Sequence, residues 1–230
     1  MDGLLLFNKP ILWTSHDAVD FVRRRTGERA VGHAGTLDPM ATGLLLILLG
    51  RWTKRSDALM GLDKSYEGTV LFGVDTDSQD LDGRILGEMS VPALNFEKIS
   101  SVFGSFVGKT SQLPPAFSAI KNKGQKGCDL ARRGLSVERK PREVTIREFD
   151  CLWYVEPEAF FSLSCSKGTY VRSLAYDAGE KMGVKSTLSS LVRTRVGSYR
   201  LKNAVGEEFV RSADLKSIES ELLGESLSRT

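Results

Sequence analysis

The run Leu44-Leu45-Leu46-Ile47-Leu48-Leu49, bounded by Gly43 and Gly50, contains no polar residue. It is too short for a helix that is apolar all round, and glycine stops it at both ends, so the pattern predicts a strand buried on both faces. Such a strand lies inside a sheet, and the rest of the chain must supply apolar layers above and below it. Just before it stands Asp38, between the small residues of 32–36 and the apolar run, in a turn signalled by Asp38-Pro39. A carboxylate beside a core strand is poorly solvated, so it needs a cation, hydrogen-bond donors or a chemical use. The plain alternative is an Asx turn, in which Asp38 bonds its own backbone two residues on.

The rest of the chain narrows the class. At 230 residues and 41% hydrophobic it has enough material for one large domain, or for one domain with a small appendage. A net charge of +3 and a pI near 8.7 are only mildly basic, so any polyanion must meet a local patch. Cys128, Cys151 and Cys165 are odd in number and lack CxxC spacing, which argues against a disulfide framework. With only His16 and His33 besides, no metal site is expected. The aspartates at 75, 77, 80 and 82 lack the closing Glu of a calcium loop and are expected in a solvated turn. The N-terminus has no basic lead or cleavage site, and no run is long enough to span a bilayer, so a soluble cytoplasmic protein is expected.

Periodicity places the other elements. Residues 4–7 read as a strand that ends at Asn8-Lys9-Pro10, and Thr14 or Ser15 caps a helix over 17–25. Arg23, Arg24 and Arg25 at its end either face water or contact phosphate. A helix is expected over 51–62, a strand over 66–73, and a helix capped by Asn95 over 96–106. The segment 108–136 reads as a polar loop with a short helix near 128–133. From Lys121 to Arg142 the chain carries its densest basic stretch, including Lys123, Lys126, Arg132, Arg133, Arg139 and Lys140, preceded by Phe117 and Ile120. Cations for phosphates with apolar faces for unstacked bases suit an RNA groove, although a solvated surface has the same composition. Strands are expected over 142–154 and 159–165. A helix then follows Gly168, with Val171, Ala175 and Ala178 as its buried stripe. Arg172 lies near that helix's N-terminus, where the dipole disfavours a cation, so a carboxylate partner is expected. A last helix is expected over 212–223.

On these residues, GHAGTLDPMATGLLLILLG (32–50) resembles the central motif of the tRNA pseudouridine synthase B family, whose catalytic Asp falls on Asp38. LLLFNKPILWTS (4–15) resembles the family's first motif, departing at Leu12, where the family usually has glycine. KSYEGTVLFGVDTDSQDLDG (64–83), CSKGTYVRSLAYDAG (165–179) and STLSSLVRTR (186–195) resemble its other core segments. QLPPAFSAIKNKGQKGCDLARRG (112–134) is similar to its RNA-gripping insertion, with Gly127 and Cys128 where Leu-Tyr is common.

The resemblance implies an α+β pseudouridine synthase fold, a mixed, largely antiparallel central sheet flanked by helices, with a basic insertion at about 108–142. One catalytic domain would cover 1–223, with a short tail at 224–230 and without the C-terminal RNA-binding domain of bacterial members. The implied activity is isomerisation of uridine-55 in the T-loop of tRNA by base flipping, with no cofactor, no membrane and no obligate protein partner, in a monomer. Asp38 would act as nucleophile or proton acceptor at the ribose, paired with Arg172, and Tyr66 would stack on the flipped base and take part at C5. His33 and Thr36 would meet the substrate, Leu191 would lie near the base, and Lys121 and Arg132 would hold RNA. Two other classes use the same residues. A non-catalytic tRNA-binding or folding module would need only the basic stretch. A carboxylate-based nucleosidase would pair Asp38 with a second acid, and the resemblance offers Arg172 instead.

Overall fold

In the computed structural model, residues 1–115, 117, 121–122, 125–126 and 139–224 are described. From the N-terminus, β1 (Gly3–Lys9) leads into α1 (Ser15–Thr26), β2 (Val31–Ala34) and β3 (Thr42–Leu49). A 3-10 turn over Gly50–Arg55 and α2 (Ser56–Met60) precede β4 (Lys64–Phe72), β5 (Val74–Thr76), β6 (Ile85–Glu88), α3 (Phe96–Gly104) and β7 (Gly108–Gln112). Short strands β8 (Lys121–Asn122) and β9 (Gln125–Lys126) pair with each other. There follow β10 (Arg142–Val155), β11 (Glu158–Cys165), α4 (Val171–Met182), β12 (Ser186–Val196), β13 (Tyr199–Arg200), α5 (Glu207–Ser212) and α6 (Leu215–Ser220).

These elements form two compact units, one of Met1–Tyr66 with Leu191–Thr230 and one of Glu67–Ser190. In the first, β3 pairs antiparallel with β1 and β2 and parallel with β12, where Val192 stands opposite Thr42 and Arg193 opposite Gly43. Every residue of β3 from Gly43 to Leu49 is buried, as a strand covered on both faces must be. Leu44, Leu46 and Leu48 pack on one side with Leu4, Leu6, Ala34, Trp52, Leu59 and Val196. Full burial of each such leucine contributes roughly 1.5–3 kcal/mol, so this strand anchors the unit.

α1 starts where a capping box places it. The Thr14 hydroxyl accepts the Asp17 amide at 3.0 Å, and the Asp17 carboxylate accepts the Thr14 amide at 2.8 Å. The arginines at its far end are used inside the fold. Arg23 donates to the Val31 carbonyl at 3.0 Å, and Arg25 donates to the carbonyls of Val210 and Ala213 at 3.0 and 3.1 Å. That last bond also marks a correction. The expected helix over 212–223 is shorter, α6 alone, and is separated from α5, because Ala213 is extended and Asp214 caps α6 by accepting the Ser217 amide. The expected helix over 51–62 likewise begins as a 3-10 turn, with Trp52 buried, before α2.

In the second unit, β10 pairs antiparallel with β11 and with β7. The strand β7 occupies the start of the segment expected to be loop, while the expected helix near 128–133 lies outside the described residues. Asn95 caps α3 as expected, and Phe103 stacks on Phe149 at 4.2 Å, with Phe161 edge-on to Phe149 at 5.4 Å. Such aromatic pairs fix β10 and β11 beneath α3.

Candidate active site

Asp38 sits between β2 and β3 and is half-buried. Its main chain is held at every step. The buried Arg193 side chain donates through Nη2 to the Gly35 carbonyl at 3.0 Å, through Nη1 to the Thr36 carbonyl at 3.3 Å and through Nε to the Leu44 carbonyl at 2.8 Å. Ser15, buried at the start of α1, donates to the Leu37 carbonyl at 3.1 Å and accepts the Leu37 amide at 2.8 Å. The Asp38 carbonyl accepts the Ala41 amide at 3.1 Å. The Pro39 carbonyl accepts the Leu12 amide at 2.9 Å and the Lys9 ammonium at 3.4 Å. Five consecutive carbonyls, 35 to 39, thus have named donors. A turn so constrained loses little freedom when a substrate arrives, which is what a positioned acid or nucleophile requires.

Two glycines make this clasp possible. Gly35 has φ +93°, in the left-handed region that favours glycine. At Gly43, also left-handed at φ +99°, a Cβ would stand 2.5 Å from the Arg193 carbonyl, so only glycine lets β12 approach β3 at the point where Arg193 enters.

The first unit also holds the other residues expected on the substrate side. Thr36 is exposed and His33 half-buried. Burial lowers the His33 imidazole below its ordinary value, helped by the Arg193 charge and slightly by His16, so it is neutral near pH 7. Its Nδ1 is buried without a hydrogen-bond partner among the described residues. Tyr66 is buried on β4, and Leu191 is buried on β12 one residue before Val192, the partner of Thr42.

Arg172 belongs to the second unit, on the first turn of α4. A carboxylate stands beside it in Asp80, with Nε to Oδ2 at 3.5 Å and side-chain exposures of 6% and 5%. Its Nη1 donates to the Ser78 carbonyl at 2.8 Å and its Nη2 to the Phe117 carbonyl at 2.9 Å. Asp80 comes from the aspartate-rich stretch expected to be solvated, which corrects that expectation: its carboxylate accepts the Ser78 hydroxyl and the Asp82 amide, the latter at 3.2 Å. Lys9, Ser15, Arg193 and Asp80 were not legible as site residues. The available signal was alternation on β12, which sets Arg193 on the same face as the buried Leu191 and therefore inward. The side chain of Lys121 and all of Arg132 lie outside the described residues.

The same architecture occurs in solved structures. A chain of a Cbf5-Nop10-Gar1 complex superposes with TM-score 0.71 at 26% identity, covering 91% of this chain and 54% of that one. A chain of an archaeal box H/ACA Nop10-Cbf5 complex gives 0.68 over 94% of this chain and 54% of its own. This chain therefore spans about half the length of those proteins. The class is defined by this architecture: a pseudouridine synthase fold, with Asp38 on a held turn just before β3. Within that class the chain belongs to the TruB family of pseudouridylate synthases, whose N-terminal domain matches residues 23–171. The tRNA pseudouridine synthase B of Opitutus terrae is 42% identical over 97% of this chain and 92% of that protein. That of Endomicrobium trichonymphae is 44% identical over 93% of each.

Proposed function

We propose that this chain isomerises uridine-55 in the T-loop of tRNA to pseudouridine, acting as a cytoplasmic monomer without a cofactor. The observation that carries this reading is Asp38, half-buried on a turn whose carbonyls all have donors, in a chain alike over nearly its whole length to proteins named tRNA pseudouridine synthase B. Residues 1–223 would form one catalytic domain, with the insertion at about 108–142 gripping RNA through Lys121 and Arg132.

The chemistry breaks the N1–C1′ bond, turns the detached uracil within the site, and joins C5 to the same C1′. The proton lost from C5 is balanced by the one gained at N1, so nothing is oxidised, reduced or hydrolysed. The target base lies inside a folded arm and must be turned out of its stack before a side chain can reach it. Asp38 meets C1′ or takes a proton from the ribose, Arg172 favours the ionised carboxylate, and Tyr66 stacks on the base and assists at C5. His33, Thr36 and Leu191 meet the displaced nucleotide and its neighbours.

The deciding experiment follows tritium release from C5-labelled uridine in a T-arm transcript. Asp38→Asn is expected to abolish release while tRNA affinity stays within about threefold, because the carboxamide keeps the shape and loses the charge. Turnover persisting in the variant refutes the catalytic assignment and leaves an RNA-binding or folding module. Free uracil among the products indicates a nucleosidase.

A further inference from the structure

Among the described residues, two besides glycine have positive φ: Leu12 at 69° and Gln79 at 64°. A side chain in this region crowds the backbone, and residues as large as these are seldom found there. For Gln79 the fold supplies a reason. Its amide donates to the Thr76 carbonyl at 3.2 Å, its carbonyl accepts the Leu188 amide at 3.1 Å, and its side-chain oxygen accepts the Ser173 hydroxyl at 3.0 Å.

For Leu12 the described residues supply a cause for the backbone and leave the side chain largely exposed. Its amide is held by the Pro39 carbonyl, and the fully buried Lys9 ammonium donates to the carbonyls of Pro10, Trp13 and Pro39 at 2.9, 2.6 and 3.4 Å. Next along, the Trp13 ring stands edge-on to Phe21 at 5.2 Å and stacks on Phe7 at 6.5 Å. The turn over 10–13 is thereby fixed against the peptide that follows Asp38. Yet Leu12 is 75% exposed and Ile11 59% exposed. A strained residue that holds an apolar side chain in water gains nothing inside the free protein, and strain of that kind collects at functional sites.

We propose that Leu12, flanked by Ile11, is a substrate-contacting residue: it packs against the face of a base or ribose in the RNA loop beside the flipped uridine. This rests on the function proposed above and names a specificity-determining contact for it. Turning one nucleotide out of a stack uncovers the faces of its neighbours, and an apolar wedge covers such a face without hydrogen-bond readout. Because the turn is already fixed, little ordering is lost on contact. Leucine carries no charge, so the contact is insensitive to salt, unlike any phosphate contact.

The test compares the native chain with Leu12→Gly and Leu12→Met, reading thermal unfolding, tritium release and binding of a T-arm transcript by fluorescence anisotropy. Leu12→Gly is expected to unfold about 2–4 °C higher, since glycine relieves the left-handed strain. Its KM and its dissociation constant should both rise about tenfold, by the same factor at about 50 and 200 mM salt, while Leu12→Met stays within about twofold. Unchanged RNA binding in Leu12→Gly overturns the proposal, as does a lower unfolding temperature, an equal loss in Leu12→Met, or a loss that fades with salt. Should the native chain bind the transcript without releasing tritium, the substrate reading fails, and the anisotropy series still decides whether Leu12 touches RNA.

Discussion

Arg193 in the first unit and Arg172 in the second are both buried, and they are satisfied in different ways. Arg193 spreads its guanidinium over three main-chain carbonyls, whereas Arg172 donates to two carbonyls and faces the carboxylate of Asp80. Carbonyl acceptors belong to the backbone and cannot be mutated away, so Arg193 works as a clasp that shapes residues 35, 36 and 44. A carboxylate acceptor is a side chain, so the Arg172 arrangement depends on two residues that must both be present. The first arrangement fixes geometry and the second fixes charge.

The largest effect is expected at Asp80. Truncating one member of a buried ion pair leaves the other's charge undercompensated, at about 3–5 kcal/mol. Asp80→Ala should therefore lower the unfolding temperature by roughly 10 °C in a chain of this length. A drop of under about 2 °C would mean that the pair does not support the second unit.

The next effect is at Arg193. Arg193→Lys keeps the positive charge but replaces a planar fork of donors with one ammonium group, which cannot reach Gly35, Thr36 and Leu44 together. The loss should be about 2 kcal/mol, from donors that no longer meet buried carbonyls. Because the clasp positions the Asp38 turn, kcat should fall about tenfold with KM nearly unchanged, the mark of geometry lost at the reacting group. A change in KM alone would place Arg193 with binding.

The contrast also explains what the sequence could disclose. The Asp38 turn was legible because its signals are local: Gly35, Asp38-Pro39 and the apolar β3 follow one another along the chain, and each constrains its neighbour. β4, α3 and the β10–β11 pair were legible for the same reason. The clasp was not, since Lys9, Ser15 and Arg193 reach one five-residue turn from three distant places, and no periodicity records which carbonyl an arginine will find. Asp80 was hidden by its neighbours: in a stretch with aspartates at 75, 77, 80 and 82, composition reads as solvent, and only α4 packing over it selects one carboxylate for burial.

The smallest expected effect concerns His33, which shares the first unit with Arg193. Burial, reinforced by the Arg193 charge and weakly by His16, lowers its folded pKa, so the unfolded chain takes up the proton more readily than the native one. The stability that follows is present above the unfolded value, near pH 6.5, and is lost as pH falls through the lower folded value. His33→Gln cannot titrate, so its unfolding temperature should fall less steeply than that of the native chain between about pH 7 and pH 5. The carboxylates that protonate at the acid end of this range are common to both proteins and cancel in the difference. Equal slopes would mean that His33 titrates as a solvated side chain. A steeper native slope that vanishes in an Arg193→Met background would assign the shift to the clasp's charge, and one that persists there would assign it to burial.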